Sequence, residues 1–77
     1  MIDLNNDRER TMFIKACVSC GSLREKAVNL LTRETISLGM YQEIDSMLDV
    51  AREQLDYLEL DLARATLEDV INILCEI

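Results

Sequence analysis

The sequence predicts an all-α protein, a small bundle of three or four helices. Its 77 residues include no proline and only two glycines, so long stretches contain nothing that interrupts a helix. Residues with high helix propensity dominate, and the apolar ones recur three and four residues apart. A chain of this length forms one small domain, residues 1–77, whose core is thin without a partner.

The first helix is expected over residues 7–20, with Asn6 or Asp7 as its N-cap. Gly21 is expected to end it, because glycine readily adopts the left-handed conformation that follows a helix. One face of this helix is apolar and is formed by Phe13, Ala16, Cys17 and Cys20.

A second helix is predicted over residues 22–38, where Ser22 and Glu25 have the spacing of a capping box. Gly39 is expected to end this helix in the same way as Gly21 ends the first. Its apolar face comprises Leu23, Ala27, Leu30, Leu31 and Leu38.

Residues 40–77 contain neither glycine nor proline, and helices are predicted over 41–58 and 61–77. The first part has an apolar seam of Ile44, Leu48, Ala51, Leu55, Leu58 and Leu62. A second stripe, rotated by about 120° from the first, consists of Leu60, Ala63, Leu67, Val70, Ile71, Leu74 and Ile77. One straight helix cannot turn both stripes to one core. Either the chain breaks between Tyr57 and Asp61, with Asp61 as the N-cap, or one long bent helix contacts a second chain with its last half.

The net charge of −7 is unevenly distributed along the chain. Residues 1–33 have a net charge of +2, whereas residues 34–77 hold eleven acids and two bases, a net charge of −9. Part of this acidity lies opposite the first seam, with an aliphatic and an aromatic residue beside it. We interpret this face as a partner-binding surface for a basic protein, the alternative being the solvated side of an amphipathic helix. It comprises Asp45, Asp49, Val50, Glu53, Asp56 and Tyr57.

The three cysteines allow several interpretations. Cys17 and Cys20 form a C-x-x-C motif, and Cys75 lies near the C-terminus. The pair is expected to consist of small buried core residues beside Phe13. The alternatives are a redox pair, a disulfide to Cys75, and a zinc ion held by the pairs of two chains in a dimer. No metal site or cofactor is predicted within one chain.

Two segments resemble known families. The stretch from Ser19, Cys20 and Gly21 to Gly39, together with residues 65–68, is similar to small helical connector proteins of enterobacterial biofilm and acid-resistance control. Residues 60–77 resemble part of the C-terminal helical domain of tRNA-modifying GTPases, without that family's terminal cysteine segment. Both resemblances consist of leucines at helical spacing with a few charges, so no functional residue is carried over from either family.

Catalysis is not expected, because the sequence has no histidine, no glycine-rich phosphate loop and no nucleophile motif. The negative charge disfavours direct nucleic-acid binding. No apolar run is long enough to cross a membrane, and the first residues lack the features of a signal peptide, so we expect a cytoplasmic protein.

The leading hypothesis for function is a small acidic regulator or inhibitor that binds a protein partner. A partner that handles nucleic acid offers a basic channel, and phage anti-restriction and anti-CRISPR proteins resemble this chain in composition. The alternative is a structural, oligomerisation or co-chaperone module that assembles through its C-terminal apolar helix, as a homodimer or in a hetero-complex. That interface would comprise Leu67, Val70, Ile71, Leu74 and Ile77.

Overall fold

The computed structural model, which describes residues 5–77, confirms the all-α bundle. Its helices are α1 (Asp7–Thr32), α2 (Leu38–Asp56) and α3 (Leu60–Cys75), and the described residues contain no strand. Each helix packs against the other two, and short loops make consecutive helices antiparallel neighbours. The bundle measures 43 × 17 × 16 Å. Residues 1–4, at the start of the chain where no signal peptide is expected, lie outside the described residues.

Helix α1 runs without interruption through Gly21, so the prediction of separate helices over 7–20 and 22–38 is wrong. Ser22 lies in the middle of α1, and the predicted capping box with Glu25 does not form. Asn6 is the N-cap, as predicted, and its side chain accepts from two backbone amides of the first turn. The helix continues because the two apolar faces form one stripe across the glycine. The residues of that stripe are Phe13, Ala16, Cys20, Leu23, Ala27, Leu30 and Leu31.

The C-terminus of α1 is closed by backbone hydrogen bonds of the Schellman type. The amides of Glu34 and Thr35 donate to the carbonyls of Leu31 and Leu30 at 3.0 and 2.9 Å. This closure places Glu34 in the left-handed conformation, with φ of 60°. Glu34 therefore occupies the position after the helix end at which glycine is the most common residue.

Neither glycine ends a helix. Gly39 lies in the first turn of α2, where the Ser37 side chain accepts from the amide of Met40 at 3.1 Å and caps the helix. Neither Gly21 nor Gly39 has a positive φ. The prediction that both glycines terminate helices is wrong. Backbone hydrogen bonds close the C-terminal ends of α1 and α2 at residues other than glycine.

The predicted break in the second half is confirmed at residues 57–59, between α2 and α3. Leu58 adopts the left-handed conformation, with φ of 59°, and Glu59 donates to the Gln54 carbonyl at 2.8 Å. Asp61 is not the N-cap of α3. That position belongs to Glu59, whose side chain makes no capping hydrogen bond.

The core is one cluster to which all three helices contribute. The break changes the helical phase, so that Leu60 is buried whereas Leu62, predicted in the first seam, is 53% exposed. Small residues at the helix contacts let the backbones approach closely. The buried residues are Ala16, Ala27, Ile36, Ile44, Leu48, Ala51, Leu55, Leu60, Ala63, Leu67, Val70 and Leu74.

Replacing the glycine in the middle of α1 is expected to stabilise the protein. No atom lies within 4 Å of a Cβ added at Gly21, and alanine removes the entropic cost of a helical glycine. Gly21→Ala should raise the free energy of unfolding by about 0.5–1 kcal/mol, measured by urea denaturation. Gly39→Ala, at the helix terminus, should give a smaller gain. A loss of stability in Gly21→Ala would contradict the uninterrupted helix.

The opposite substitution is expected to stabilise the left-handed position after α1. Glu34→Gly removes a conformational penalty of about 1 kcal/mol, and the exposed glutamate side chain forms no ion pair in the described chain. Glu43→Gly, the same substitution inside α2, is the matched control and should destabilise by about 1 kcal/mol. Thermal denaturation of the two variants should shift the midpoint in opposite directions.

Candidate functional site

The acidic face of α2 is partly neutralised by a cation from α1. Arg24 Nη2 lies 2.6 Å from Asp49 Oδ1, and its Nε lies 3.3 Å from Asp45 Oδ1. The hydrogen bond to Asp49 raises the pKa of Arg24 above its usual value, against a smaller opposing effect of burial, with Asp45 adding to the rise. Two of the four predicted partner-binding carboxylates therefore already have a partner within the chain.

These ion pairs position Arg24 more than they stabilise the fold. The side chains of Arg24 and Asp49 are 38% and 64% exposed, and exposed pairs contribute at most about 1 kcal/mol. Arg24 is held against α2 at the junction of the first two helices. The other two predicted carboxylates, Glu53 and Asp56, form no ion pair with any residue of 5–77.

The remaining predicted partner-binding residues lie in the C-terminal half of α2 and directly after its end. Val50, Glu53 and Tyr57 have the spacing i, i+3 and i+7, which places them along one side of the helix. All three are exposed, Tyr57 by 68%. This side of α2 is tied to α3 by Thr66, whose Oγ1 donates to Gln54 Oε1 at 2.8 Å.

Tyr57 lines a groove at the corner between α2 and α3, which we call the corner groove. It encloses about 370 Å³, and the exposed Leu62 lies in it together with Tyr57. Every charged residue that lines it is acidic, namely Glu9, Glu59 and Asp61. The corner groove thus combines an aromatic ring and a leucine with three carboxylates, without a lysine or arginine among its described lining residues.

The sequence did not identify Leu62 as a surface residue, although a signal was present. Leu62 lies about 100° from the core stripe that begins at Leu60 and Ala63, and it belongs to the first seam only if the helix continues unbroken. The role of Arg24 had no comparable signal, because its contacts with Asp45 and Asp49 join residues far apart in the sequence.

Most of the predicted oligomer interface on α3 belongs to the core of the chain. Leu67, Val70 and Leu74 are buried against the other two helices, because the break turns this stripe inward. Ile71 and Ile77 remain exposed. The predicted stripe therefore does not form a continuous surface for a second chain.

The cysteine pair lies at a second groove, between α1 and α2, which we call the thiol groove. Cys17 is exposed, contrary to the prediction of a buried residue, while Cys20 is half-buried and packs against the core. The thiol groove encloses about 290 Å³ and is also lined by Arg24 and Arg52. No group of three or more histidine, cysteine or acidic residues in the described chain could hold a metal ion.

A disulfide between Cys17 and Cys20 does not fit an intact α1. Side chains three residues apart on a helix have Cβ atoms about 5–6 Å apart, whereas a disulfide needs about 3.5–4.5 Å. All three cysteines are free, and Cys75 is exposed at the end of α3.

Across the described part of the chain, every helix is too short or too polar to cross a membrane.

The two thiols are expected to differ in reactivity. Burial raises the pKa of Cys20, and the neighbouring Cys17 thiolate raises it further, against the opposing charges of Arg24 and Arg52. Since the thiolate is the nucleophile, iodoacetamide should modify half-buried Cys20 more slowly than exposed Cys17, and the midpoint of the Cys20 profile should lie at higher pH in the native protein than in denaturant. Peptide mass spectrometry after timed alkylation measures both rates.

The Cys17→Ser variant provides the control for this difference. Removing the neighbouring thiolate should lower the pKa of Cys20 and shift its alkylation profile to lower pH. In denaturant the two cysteines of the wild-type chain should react alike. Equal alkylation rates in the native protein would contradict the half-buried placement of Cys20.

Comparisons with known proteins do not assign this chain to a family. No protein-family model matches it, and neither a curated protein nor a solved structure does. The function is therefore argued from the two grooves and their surroundings.

Proposed function

We propose that the protein is a small acidic interaction module that acts as a regulator or inhibitor by binding a basic segment of a protein partner. The observation that supports this proposal is the corner groove, where Tyr57 and Leu62 are exposed and every charged residue among the described lining residues is acidic. An exposed aromatic and aliphatic pair inside a groove is typical of an anchor site at a protein interface.

The chemistry of the corner groove suits lysine and arginine side chains. Their aliphatic stems can cover the Tyr57 ring and Leu62, and their charged ends can then reach the carboxylates of Glu59 and Asp61. Burying the ring and the leucine supplies affinity, while the carboxylates select for positive charge and speed the encounter.

The distribution of ion pairs supports the same surface. Arg24 occupies Asp45 and Asp49 at the other edge of α2, so these two acids have less charge to offer a partner. Glu53 lies one turn before Tyr57 and makes no ion pair in the described chain. Of the four carboxylates predicted on this face of α2, those without an ion pair are therefore the two nearest to Tyr57.

Proteins that handle nucleic acid are the partner class that this surface fits best. They carry clusters of lysine and arginine that bind phosphates. A carboxylate-lined surface that binds such a cluster competes with the nucleic acid for the same cations. Inhibition by this competition needs no catalytic residue in the inhibitor.

A charge-reversal experiment tests the proposal. Tagged protein is incubated with lysate of the source cell, and bound proteins are quantified by mass spectrometry. Glu53→Lys/Glu59→Lys reverses one charge beside Tyr57 and one in the lining of the corner groove. It should reduce capture of the partner at least tenfold, and Tyr57→Ala should reduce it similarly through loss of the anchor. A basic residue in the last turn of α2, where Glu53 lies, favours the helix, and the Glu59 side chain makes no capping hydrogen bond that the reversal would remove.

The matched control is Glu25→Lys/Glu68→Lys, which makes the same change in net charge at exposed positions away from the corner groove. Control and wild type should capture the same partner, and capture should fall as salt rises. Equal capture by all variants, or capture that does not depend on salt, would contradict the proposal.

A further inference from the structure

We propose that Cys17 and Cys20 bind one Cu(I) ion between their two thiolates in the thiol groove. The pair lies on consecutive turns of α1, and both side chains line this groove between α1 and α2. This metal site is separate from the corner groove and does not depend on the proposed function.

The spacing of the pair suits a metal bridge. The two Cβ atoms lie about 5–6 Å apart on a regular helix. Two metal–sulfur bonds of about 2.3 Å on opposite sides of an ion span about 4.6 Å. Each sulfur can rotate about its Cα–Cβ bond, so both reach one ion without unwinding α1. A disulfide, in contrast, requires the helix to distort.

The number of ligands favours Cu(I) over zinc. Thiolates select soft ions such as Cu(I) and also bind zinc, but a structural zinc ion takes four ligands. Among the described residues, no third cysteine, histidine or carboxylate completes a set of three metal ligands with Cys17 and Cys20. A site of two thiolates in one chain suits an ion that is stable with two sulfur ligands.

The charge around the pair suits the complex that would form. Two thiolates and one Cu(I) ion carry a net charge of −1, and Arg24 and Arg52 line the same groove. Asp56 also lines it, so two cations face one carboxylate. Arg52 forms no ion pair within residues 5–77 and its charge is available to the complex.

Gly21 keeps the pair accessible. A helical side chain covers the turn that precedes it, so a side chain at position 21 would lie over Cys17. Gly21 lines the thiol groove, its φ is not positive, and no atom lies within 4 Å of an added Cβ. Neither backbone conformation nor packing within the chain requires glycine here, whereas access to the thiols benefits from it.

Binding of Cu(I) to the two thiols requires no oxidant or reductant. Two thiols lose their protons to solvent, two copper–sulfur bonds form, and the ion remains Cu(I). Affinity should therefore rise with pH, because protons compete with the metal.

A competition titration tests the site. The reduced 77-residue chain is titrated anaerobically with Cu(I) against the chromophoric chelator bicinchoninate. We expect one Cu(I) ion per chain, and sedimentation should show that copper binding does not join two chains. Cys17→Ser and Cys20→Ser should each weaken binding at least 100-fold, whereas Cys75→Ser should leave it unchanged. Circular dichroism verifies that each variant retains its helices.

A second pair of variants tests the charge balance. Arg52→Gln should weaken Cu(I) binding several-fold, and Arg64→Gln, outside the thiol groove, should not. The proposal is overturned if Cys75→Ser weakens binding as strongly as Cys17→Ser, if the double variant Cys17→Ser/Cys20→Ser competes with the chelator as well as wild type, or if one ion is bound per two chains.

Discussion

The reversal of the chain at residues 57–59 is the constraint on which the rest of the bundle depends. Left-handed Leu58 and the hydrogen bond from Glu59 to the Gln54 carbonyl end α2 and redirect the chain into α3. This reversal lets two apolar stripes that differ by about 120° in phase face one core. It also leaves Tyr57 and Leu62 exposed at the corner, so the same local geometry that completes the core creates the corner groove.

The unbroken length of α1 organises the other face of the molecule. Because the helix passes through Gly21, its single apolar stripe contacts both α2 and α3, and Cys17, Cys20 and Arg24 keep a common register beside α2. A helix end at Gly21 would uncouple Arg24 from the cysteine pair. The mid-helix glycine therefore weakens the helix slightly while the stripe on either side holds it together.

Charge is divided unevenly between the helices. The net-positive segment, residues 1–33, provides Arg24, which forms ion pairs with two carboxylates of α2 and also lines the thiol groove. Of the four carboxylates predicted on this face of α2, the two without an ion pair, Glu53 and Asp56, lie in the last turn of the helix, next to Tyr57. One helix, α2, thus presents a neutralised edge to α1 and an acidic edge towards the corner groove. We infer that these edges have different functions, ion binding on one side and protein recognition on the other.

The sequence by itself determined the features that depend on local spacing: the all-α class and the buried seam around Ile44 and Leu48. It also limited the N-cap of α1 to Asn6 or Asp7 and placed the change of stripe between Tyr57 and Asp61. It also contained the apolar stripe that joins the first two predicted helices, but the preference of glycine for helix ends led to the wrong prediction that a helix ends at Gly21. Tertiary structure alone decided which carboxylates Arg24 neutralises and the exposure of Cys17. The physical reason is that helical periodicity follows from neighbours in sequence, whereas these outcomes depend on which distant surfaces meet once the chain reverses.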